Sequence, residues 1–235
     1  PDVHFHYSFE LFGNTVTTLD TSLEYTDFPI GNDGIAQLRQ ALDIMPACSY
    51  LKLDNCGVDN DVMSQLRLDY PNTTMAWRVS LGKQSLLTDA EVLRFGREIT
   101  DSDAHILNYF TEVKYLHIDG GKLEDYSFVQ FMPHLESASL PKSQIHDLSP
   151  FSGCTNLQWL ELAECRKIED LSPLKDLPNL KYLNISSTSA TDLSVLDNVP
   201  LENLMCLNSI VPPEQRTSAI AAHPNALVRF GPGYN

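Results

Sequence analysis

The chain has 235 residues, of which 43% are hydrophobic and 20% charged, so it is long enough and apolar enough to bury a core. Its formal net charge of −15 argues against nucleic acid and an anionic membrane surface as partners, because both would repel it. A basic or neutral partner is compatible with this charge, and no apolar run approaches the roughly 20 residues of a membrane-spanning helix.

The first stretch of the chain alternates between apolar and polar residues, as a half-buried strand does. The turn Gly13-Asn14 and a second β-rich segment follow, which predicts a hairpin near 3–19. His4 and His6 share one side of this strand and could form a metal pair. No third ligand is visible, and a solvated strand face is the favoured interpretation. We expect that a leader or anchor has been removed ahead of Pro1.

The region after the hairpin reads as long repeats in which a strand alternates with a helix. Residues 35–45 carry apolar side chains at helical spacing, and Asn32 or Asp33 is the predicted N-cap. A second helix is predicted over 60–70, and a second hairpin near 74–88.

Two stretches of the chain look alike at low identity. SFELFGNTVTTLDTSLEY (8–25) is similar to WRVSLGKQSLLTDAEVLRF (77–95), and both read as strand, glycine turn, strand and repeat-like strand. PNALVRFG (224–231) is in turn similar to PNTTMAWRVSLG (71–82). These echoes motivate one functional hypothesis, a structural spacer within a larger protein.

A fixed period organises residues 113–211. Each copy follows L-x-x-L-x-L and most continue into D-L-S-x-(L/F), with the opening Asp recurring at spacings of 22, 23 and 22 residues. Strands of this kind stack in parallel, and each buries its apolar edge only against its neighbours. Because about 22 residues leave no room for a long helix on the convex side, 3₁₀ turns are expected there.

The copies LQWLELAECRKIEDLSPL (157–174) and LKYLNISSTSATDLSVL (180–196) resemble the leucine-rich-repeat family, in particular its bacterial internalin-like class with 22-residue repeats. The resemblance implies an α/β fold, a leucine-rich-repeat solenoid or horseshoe. Its concave side is a parallel sheet and its convex side carries helices and 3₁₀ turns, with β-hairpin insertions in the N-terminal half. It also implies an extracellular or cell-surface protein that recognises a protein partner.

We predict one leucine-rich-repeat domain over 1–235. It has long irregular repeats over 1–110, regular repeats over 111–211, and a C-terminal helix with a closing strand over 212–235. The usual ladder Asn of the repeat is replaced throughout, so the buried hydrogen-bond ladder must be weaker or remade by hydroxyl groups. The residues at this position are Gly121, Ser143, Cys165, Thr188 and Ser209. The five cysteines are interpreted as small buried hydrophobes, with disulfide or metal roles as alternatives.

Residues between the apolar positions of each strand point outward together. We predict three outward rows, headed by Tyr50, Lys52 and Asp54. The predicted partner-binding residues in them are Tyr115, His117, Trp159, Glu161, Tyr182 and Asn184. Exposed aromatic side chains beside polar groups are typical of binding faces.

The favoured function is a non-enzymatic recognition module for a protein or peptide. The alternatives are a glycan-binding module, a structural spacer of a larger bacterial surface protein, and a passive surface. No catalytic motif is present, and neither a cofactor nor a metal site is predicted. His117 and Glu161 could approach each other across strands, as chance pairs often do. The sequence assigns neither a ligand nor an oligomeric state.

Overall fold

The computed structural model describes residues 6–231 of the chain. The chain divides into two compact units, with the boundary between Asp89 and Ala90. We call the parts before and after that boundary unit 1 and unit 2. The single domain over 1–235 stays a prediction. Residues 3–5 of the predicted hairpin and 232–235 of the predicted closing segment lie outside the described residues.

Unit 1 combines a hairpin with a mixed sheet and two helices. In the hairpin, β1 (Ser8–Leu11) pairs antiparallel with β2 (Asn14–Thr17) across a turn that holds Phe12 at φ 53° and Gly13 at φ 81°. Two positive φ angles form the type I′ turn, whose twist matches that of a hairpin. The mixed sheet of the described residues runs in the order β3 (Ser22–Thr26), β4 (Tyr50–Asp54), β5 (Thr74–Leu81), β6 (Gln84–Leu87). The helices that connect its parallel strands are α1 (Ile35–Ile44) and α2 (Asn60–Asp69).

The same order of elements occurs twice in the chain. The hairpin of β1 and β2 leads into β3, and the antiparallel pair of β5 and β6 leads into β7 (Val92–Phe95). Both N-terminal hairpins are therefore confirmed over their described residues. The two stretches of similar sequence form the same succession of strand, turn, strand and parallel strand.

The predicted side-chain cap of the first helix is wrong. A 3₁₀ turn at Asn32–Gly34 precedes α1, and the N-cap residue is Gly34, without a side-chain hydrogen bond. The Asn32 side chain instead bridges to Asp59, accepting its backbone N–H at 2.9 Å and donating to its carboxylate at 2.7 Å. Asn32 thus ties together the starts of two successive helical segments.

Unit 2 is built on a parallel sheet. Its seven strands within the described residues are β7 and then β8 (Tyr115–Ile118), β9 (Ser137–Ser139), β10 (Trp159–Glu161), β11 (Tyr182–Asn184), β12 (Asn203–Cys206) and β13 (Leu227–Phe230). They pair in chain order, each one parallel to the next. The connections include α3 (Asp101–Leu107), α4 (Pro213–Ala222) and 3₁₀ turns at Ser127–Phe131, Ser149–Phe151, Ser172–Leu174 and Ser194–Leu196. A leucine-rich-repeat solenoid with 3₁₀ turns between the strands is thereby confirmed.

The interior of unit 2 is a column of apolar side chains. Leu160 and Leu183 from adjacent strands are fully buried, as are Leu174 and Leu196 from the 3₁₀ turns behind them. Burying one such side chain contributes about 1.5–3 kcal/mol. Because these residues pack against the equivalent residues of neighbouring repeats, the stability of each repeat depends on the repeats beside it.

A left-handed residue follows each strand of the regular repeats. The residues concerned are Gly120 (φ 66°), Lys142 (60°), Glu164 (62°), Ser187 (58°) and Asn208 (51°). The N–H of Lys142 donates to Ala163 O, and the N–H of Glu164 donates to Ser186 O, both at 2.8 Å. The left-handed turn, which costs a non-glycine residue about 1–2 kcal/mol, therefore occurs where the backbone bonds to the next repeat.

The buried ladder is remade by thiol and hydroxyl groups only in part, since the Ser209 hydroxyl is buried without a hydrogen-bond partner in the described structure. The Cys165 thiol donates to Leu140 O at 3.0 Å and lies 3.2 Å from Ser143 Oγ, while Thr188 Oγ1 donates to Ile185 O at 2.8 Å. Burial raises the pKa of the Cys165 thiol, so it stays protonated and can donate. The five cysteines are all buried and free, as the interpretation of them as small hydrophobes predicts.

The recurring Asp of the repeats caps the 3₁₀ turn behind it. In four repeats its Oδ1 accepts the N–H of the residue two positions on, at 2.8–2.9 Å. The capping residues are Asp125, Asp147, Asp170 and Asp192. At Asp192 the Ser194 hydroxyl also donates, at 2.6 Å, and the two bonds hold the pKa of that carboxyl below its usual range.

Substitution of Gly121 by Ala is expected to destabilise the protein. Gly121 has φ 97°, and an added Cβ would lie 3.2 Å from Arg97 Cα and 3.3 Å from its carbonyl oxygen. The left-handed strain alone costs about 1–3 kcal/mol. At Gly153, where no atom lies within 4 Å of an added Cβ, Ala should instead raise the free energy of unfolding by about 0.4–1 kcal/mol. Urea unfolding of both variants measures this, and equal effects would contradict the close approach at Gly121.

Removal of the Asp192 cap is expected to lower the free energy of unfolding by about 0.5–2 kcal/mol in Asp192→Ala. Asp192→Asn should lose less, because its amide oxygen still accepts. A folded pKa below the unfolded value of about 3.9 means that the ionised cap stabilises above that pH, and that this stabilisation is lost as pH falls through the folded pKa. Urea unfolding at pH 7 and pH 3 should show the difference shrinking at pH 3. Asp197→Ala removes the same charge from the same turn and serves as the control.

Candidate functional site

One side of the unit 2 sheet is buried and the other, which we call the open face, is not. Strand register sets the open face in two rows. The first row is Val92, Tyr115, Ser137, Trp159, Tyr182, Asn203 and Leu227. The second row is Arg94, His117, Ser139, Glu161, Asn184, Met205 and Arg229. All six predicted partner-binding residues therefore lie on one face, since the residues that alternate with them point inward.

Two aromatic side chains of the first row form a stack. The rings of Trp159 and Tyr182 lie 3.4 Å apart between centroids and within 5° of parallel. Trp159 remains 45% exposed and Tyr115 47% exposed. Stacking fixes the orientation of the indole before any partner arrives, which lowers the entropy cost of binding to it.

The Glu161 carboxylate holds this stack from the second row. Its Oε2 accepts the Tyr182 hydroxyl at 3.3 Å and the Asn184 amide at 2.9 Å, and its Oε1 accepts the Ala163 N–H at 2.8 Å. Burial, and then the charge of Glu161, raise the pKa of the Tyr182 hydroxyl, so it stays protonated and donates. The centre of the open face is thus a hydrogen-bonded and preorganised surface.

His117 and Glu161 do not form the pair considered from the sequence. They lie on β8 and β10, two strands apart, and His117 Nδ1 is 3.1 Å from Ser139 Oγ instead. Glu161 is engaged by Tyr182 and Asn184. A base and its orienting group must lie within hydrogen-bond reach of each other to act together, and these two do not.

A shallow depression of about 560 Å³ lies along the first row. Four of its lining residues come from a rim row that the sequence reasoning left out, Glu136, Gln158, Lys181 and Glu202. Each stands one position before an outward aromatic or polar residue, so the repeat pattern itself could have placed them. A second depression of about 450 Å³ shares Tyr115 and Ser137 with the first and adds Val92, Arg94 and His117.

The predicted heads of the three rows lie in a different sheet from the other members of those rows. Tyr50, Lys52 and Asp54 lie on β4, in the mixed sheet of unit 1. Lys52 pairs with Glu24 at 2.6 Å, and Arg78 binds both carboxylate oxygens of Asp54 at 2.6 and 2.9 Å. The rows of the open face start instead at Val92 and Arg94 on β7. The predicted rows do not include β7, although its sequence reads as a repeat-like strand, because it follows a hairpin rather than a regular repeat.

Metal sites and membrane-spanning helices were also sought in the described part of the chain. Across residues 6–231, no group of three or more His, Cys, Asp or Glu side chains is placed to hold a metal ion. His4 of the histidine pair considered above lies outside that range. None of the helices in the same range is long and apolar enough to cross a bilayer.

Comparison with known proteins identifies the repeats. The family model for leucine-rich repeats (two copies) matches residues 155–198. Among solved structures, an internalin (InlF) from Listeria monocytogenes is similar at 25% identity and a TM-score of 0.56, over 83% of this chain and 52% of that one. An internalin C2 from the same organism is similar at 23% identity and a TM-score of 0.47, over 58% of this chain and 68% of that one. No curated protein sequence matches the chain.

The chain therefore contains leucine-rich repeats, and an internalin from Listeria is among its structural neighbours, as the sequence resemblance predicts. It spans about half the length of the InlF structure. Leucine-rich repeats generally mediate protein interactions, and this fold is typically non-catalytic.

Tryptophan fluorescence can test the exposure of the open face. Trp159 is 45% exposed, whereas Trp77 is 2% exposed and donates its indole N–H to Asn60. Acrylamide should quench the emission of the native protein through Trp159, and the emission that remains in Trp159→Phe should be quenched far less. Equal quenching of the native protein and the variant would show that the indole of Trp159 is not exposed.

Proposed function

We propose that the protein is a non-enzymatic recognition module that binds a protein or peptide through the open face of unit 2. The aromatic row of Tyr115, Trp159 and Tyr182 carries this proposal. Aromatic side chains at the centre of a surface supply large contact area at a small entropy cost, and they dominate binding energies where they are found in interfaces.

The physical state of this row supports binding rather than a passive surface. Trp159 and Tyr115 are large and exposed, yet the Glu161 network already fixes the stack of Trp159 on Tyr182. An ordered, half-exposed indole keeps apolar area in contact with water, and a partner would remove that area from water at about 25 cal/mol per Å². The mixed sheet of unit 1 differs from this row, because its charged side chains Lys52 and Arg78 already pair with Glu24 and Asp54.

A glycan is the second candidate for the same face. Sugars stack on exposed aromatic rings, and Glu161, Asn184 and His117 line up beside the stack as hydrogen-bonding groups. These groups are largely engaged with each other, whereas the apolar area is free. Because more apolar area than unpaired polar groups is available on this face, a peptide is favoured over a glycan.

An extracellular or cell-surface location in a bacterium accompanies the proposal. It rests on the likeness to the internalin from Listeria monocytogenes and on the internalin-like repeat pattern of residues 157–196. Under this proposal the partner is a molecule that such a surface would meet outside the cell.

The proposal is tested by selecting binders from a random peptide library displayed on phage. We expect peptides selected on the native protein to bind Trp159→Ala at least about tenfold more weakly, since a central aromatic anchor is worth more than about 1.4 kcal/mol. Leu68→Ala, which removes another exposed apolar side chain, in unit 1, is the control and should leave binding unchanged.

Two results would count against this function. One is a selection that yields no peptide binder. The other is a set of binders that bind Trp159→Ala as tightly as the native protein. A glycan array is run in parallel. Glycan binding that depends on Trp159, together with no peptide binding, would identify the open face as a glycan-binding surface.

A further inference from the structure

A small residue separates two exposed aromatic residues on the open face. Tyr115 on β8, Ser137 on β9 and Trp159 on β10 are in register. Two strand spacings place the backbones of the aromatic residues about 10 Å apart. A planar group held between two rings needs about 7–8 Å, two van der Waals contacts. The short side chain of Ser137 therefore forms the floor of a cleft wide enough for a flat group, and all three residues line the same depression.

The indole of Trp159 has one covered ring face and one free ring face. Tyr182, from β11, stacks on it at 3.4 Å. Because β9 and β11 flank β10 on opposite sides, the other ring face is on the β9 side, where Ser137 is in register with Trp159. A flat ligand in the cleft would therefore stack on an indole that is already held in place from behind.

Two carboxylates that form no ion pair in the described structure flank the cleft. Glu136 stands at the rim and accepts a hydrogen bond from the Tyr115 hydroxyl at 3.2 Å, and Glu161 stands on the other side of the first row. Among residues 6–231 neither carboxylate forms an ion pair with Lys or Arg. The two lysines of the rim are engaged elsewhere in the rim, Lys114 with Glu91 at 2.7 Å and Lys181 with Glu202 at 3.0 Å.

A further acceptor at the other end of the depression has no partner. The side-chain oxygen of Asn203 is buried and forms no hydrogen bond within the described structure. An unbonded buried acceptor costs free energy until a donor reaches it. The depression thus contains aromatic ring faces and hydrogen-bond acceptors. A flat ligand with many hydrogen-bond donors would complement it.

We propose that this cleft binds the guanidinium group of an arginine side chain in a basic partner peptide, stacked on Trp159 over Ser137 and bonded to Glu136. The inference rests on the proposed function and names the chemistry of its partner. Arginine combines a planar cation that stacks on aromatic faces with five N–H donors that match a carboxylate. The net charge of −15 adds long-range attraction for such a peptide.

A comparison of arginine with lysine distinguishes this proposal from attraction by charge alone. Its ammonium group carries the same charge, but it is compact and strongly hydrated and does not fill a flat cleft. A cleft shaped for guanidinium therefore prefers arginine over lysine at equal peptide charge, whereas a diffuse acidic surface does not.

The experiment is calorimetric titration of the full chain with two probes of equal charge, Ac-(Gly-Arg)₃-Gly-NH₂ and Ac-(Gly-Lys)₃-Gly-NH₂. We expect the arginine peptide to bind native protein at least about fivefold more tightly. Ser137→Phe, which fills the floor of the cleft, and Trp159→Ala should each abolish that preference. Glu136→Gln should weaken the arginine peptide more than Glu169→Gln does. The latter removes the same charge from the loop between β10 and the next 3₁₀ turn.

The outcomes separate this inference from the function on which it rests. Equal affinity of the two peptides for native protein overturns the guanidinium cleft. So does a preference for arginine that survives both Ser137→Phe and Trp159→Ala. If library-selected peptides depend on Trp159 but contain no required arginine, the proposed function stands and the cleft proposal falls. Far-ultraviolet circular dichroism checks that each variant is folded. If either Ser137→Phe or Trp159→Ala is unfolded, the other variant alone tests the cleft.

Discussion

Backbone hydrogen bonding between successive repeats is the constraint on which unit 2 depends. Each strand pairs in parallel with the next, and after four of the strands a left-handed residue donates to the next repeat again, as Lys142 does to Ala163. Parallel pairing fixes register, and register sets every inward and outward residue. The leucine column and the open face are therefore two consequences of one backbone arrangement.

The chemistry of the open face is set by the outward positions, which the repeat pattern does not restrict to apolar residues. Apolar residues at the inward positions are required by packing, so only the residues between them can vary without loss of the core. At those positions the chain has two neighbouring large rings, Trp159 and Tyr182, and a small residue, Ser137, on the next strand. The equivalent row in the sheet of unit 1 holds Ser22, Tyr50 and Thr74, and beside it Lys52 pairs with Glu24. The two sheets thus share a strand pattern and differ in surface chemistry.

Much of the fold could be predicted because it depends on periodicity. The spacing of the Asp residues defined the repeats, the short period excluded helices in favour of 3₁₀ turns, and glycine turns marked both hairpins. The cap of α1 could not be predicted in this way, because Asn32 binds Asp59, which lies 27 positions further along the chain. A local rule cannot anticipate a partner that the fold brings from so far away.

The sequence by itself determined the repeat, the strand positions and the six residues that share the open face, because a period of fixed length implies stacking in register. Only the tertiary structure decided that the rings of Trp159 and Tyr182 stack at 3.4 Å. It also decided that Glu161 bonds to the Tyr182 hydroxyl rather than pairing with His117, and that Glu136 accepts the Tyr115 hydroxyl and forms no ion pair within residues 6–231. Ring orientation, hydrogen-bond choice and ion pairing depend on side-chain rotamers and on neighbours about 22 residues apart, which a repeat pattern does not specify.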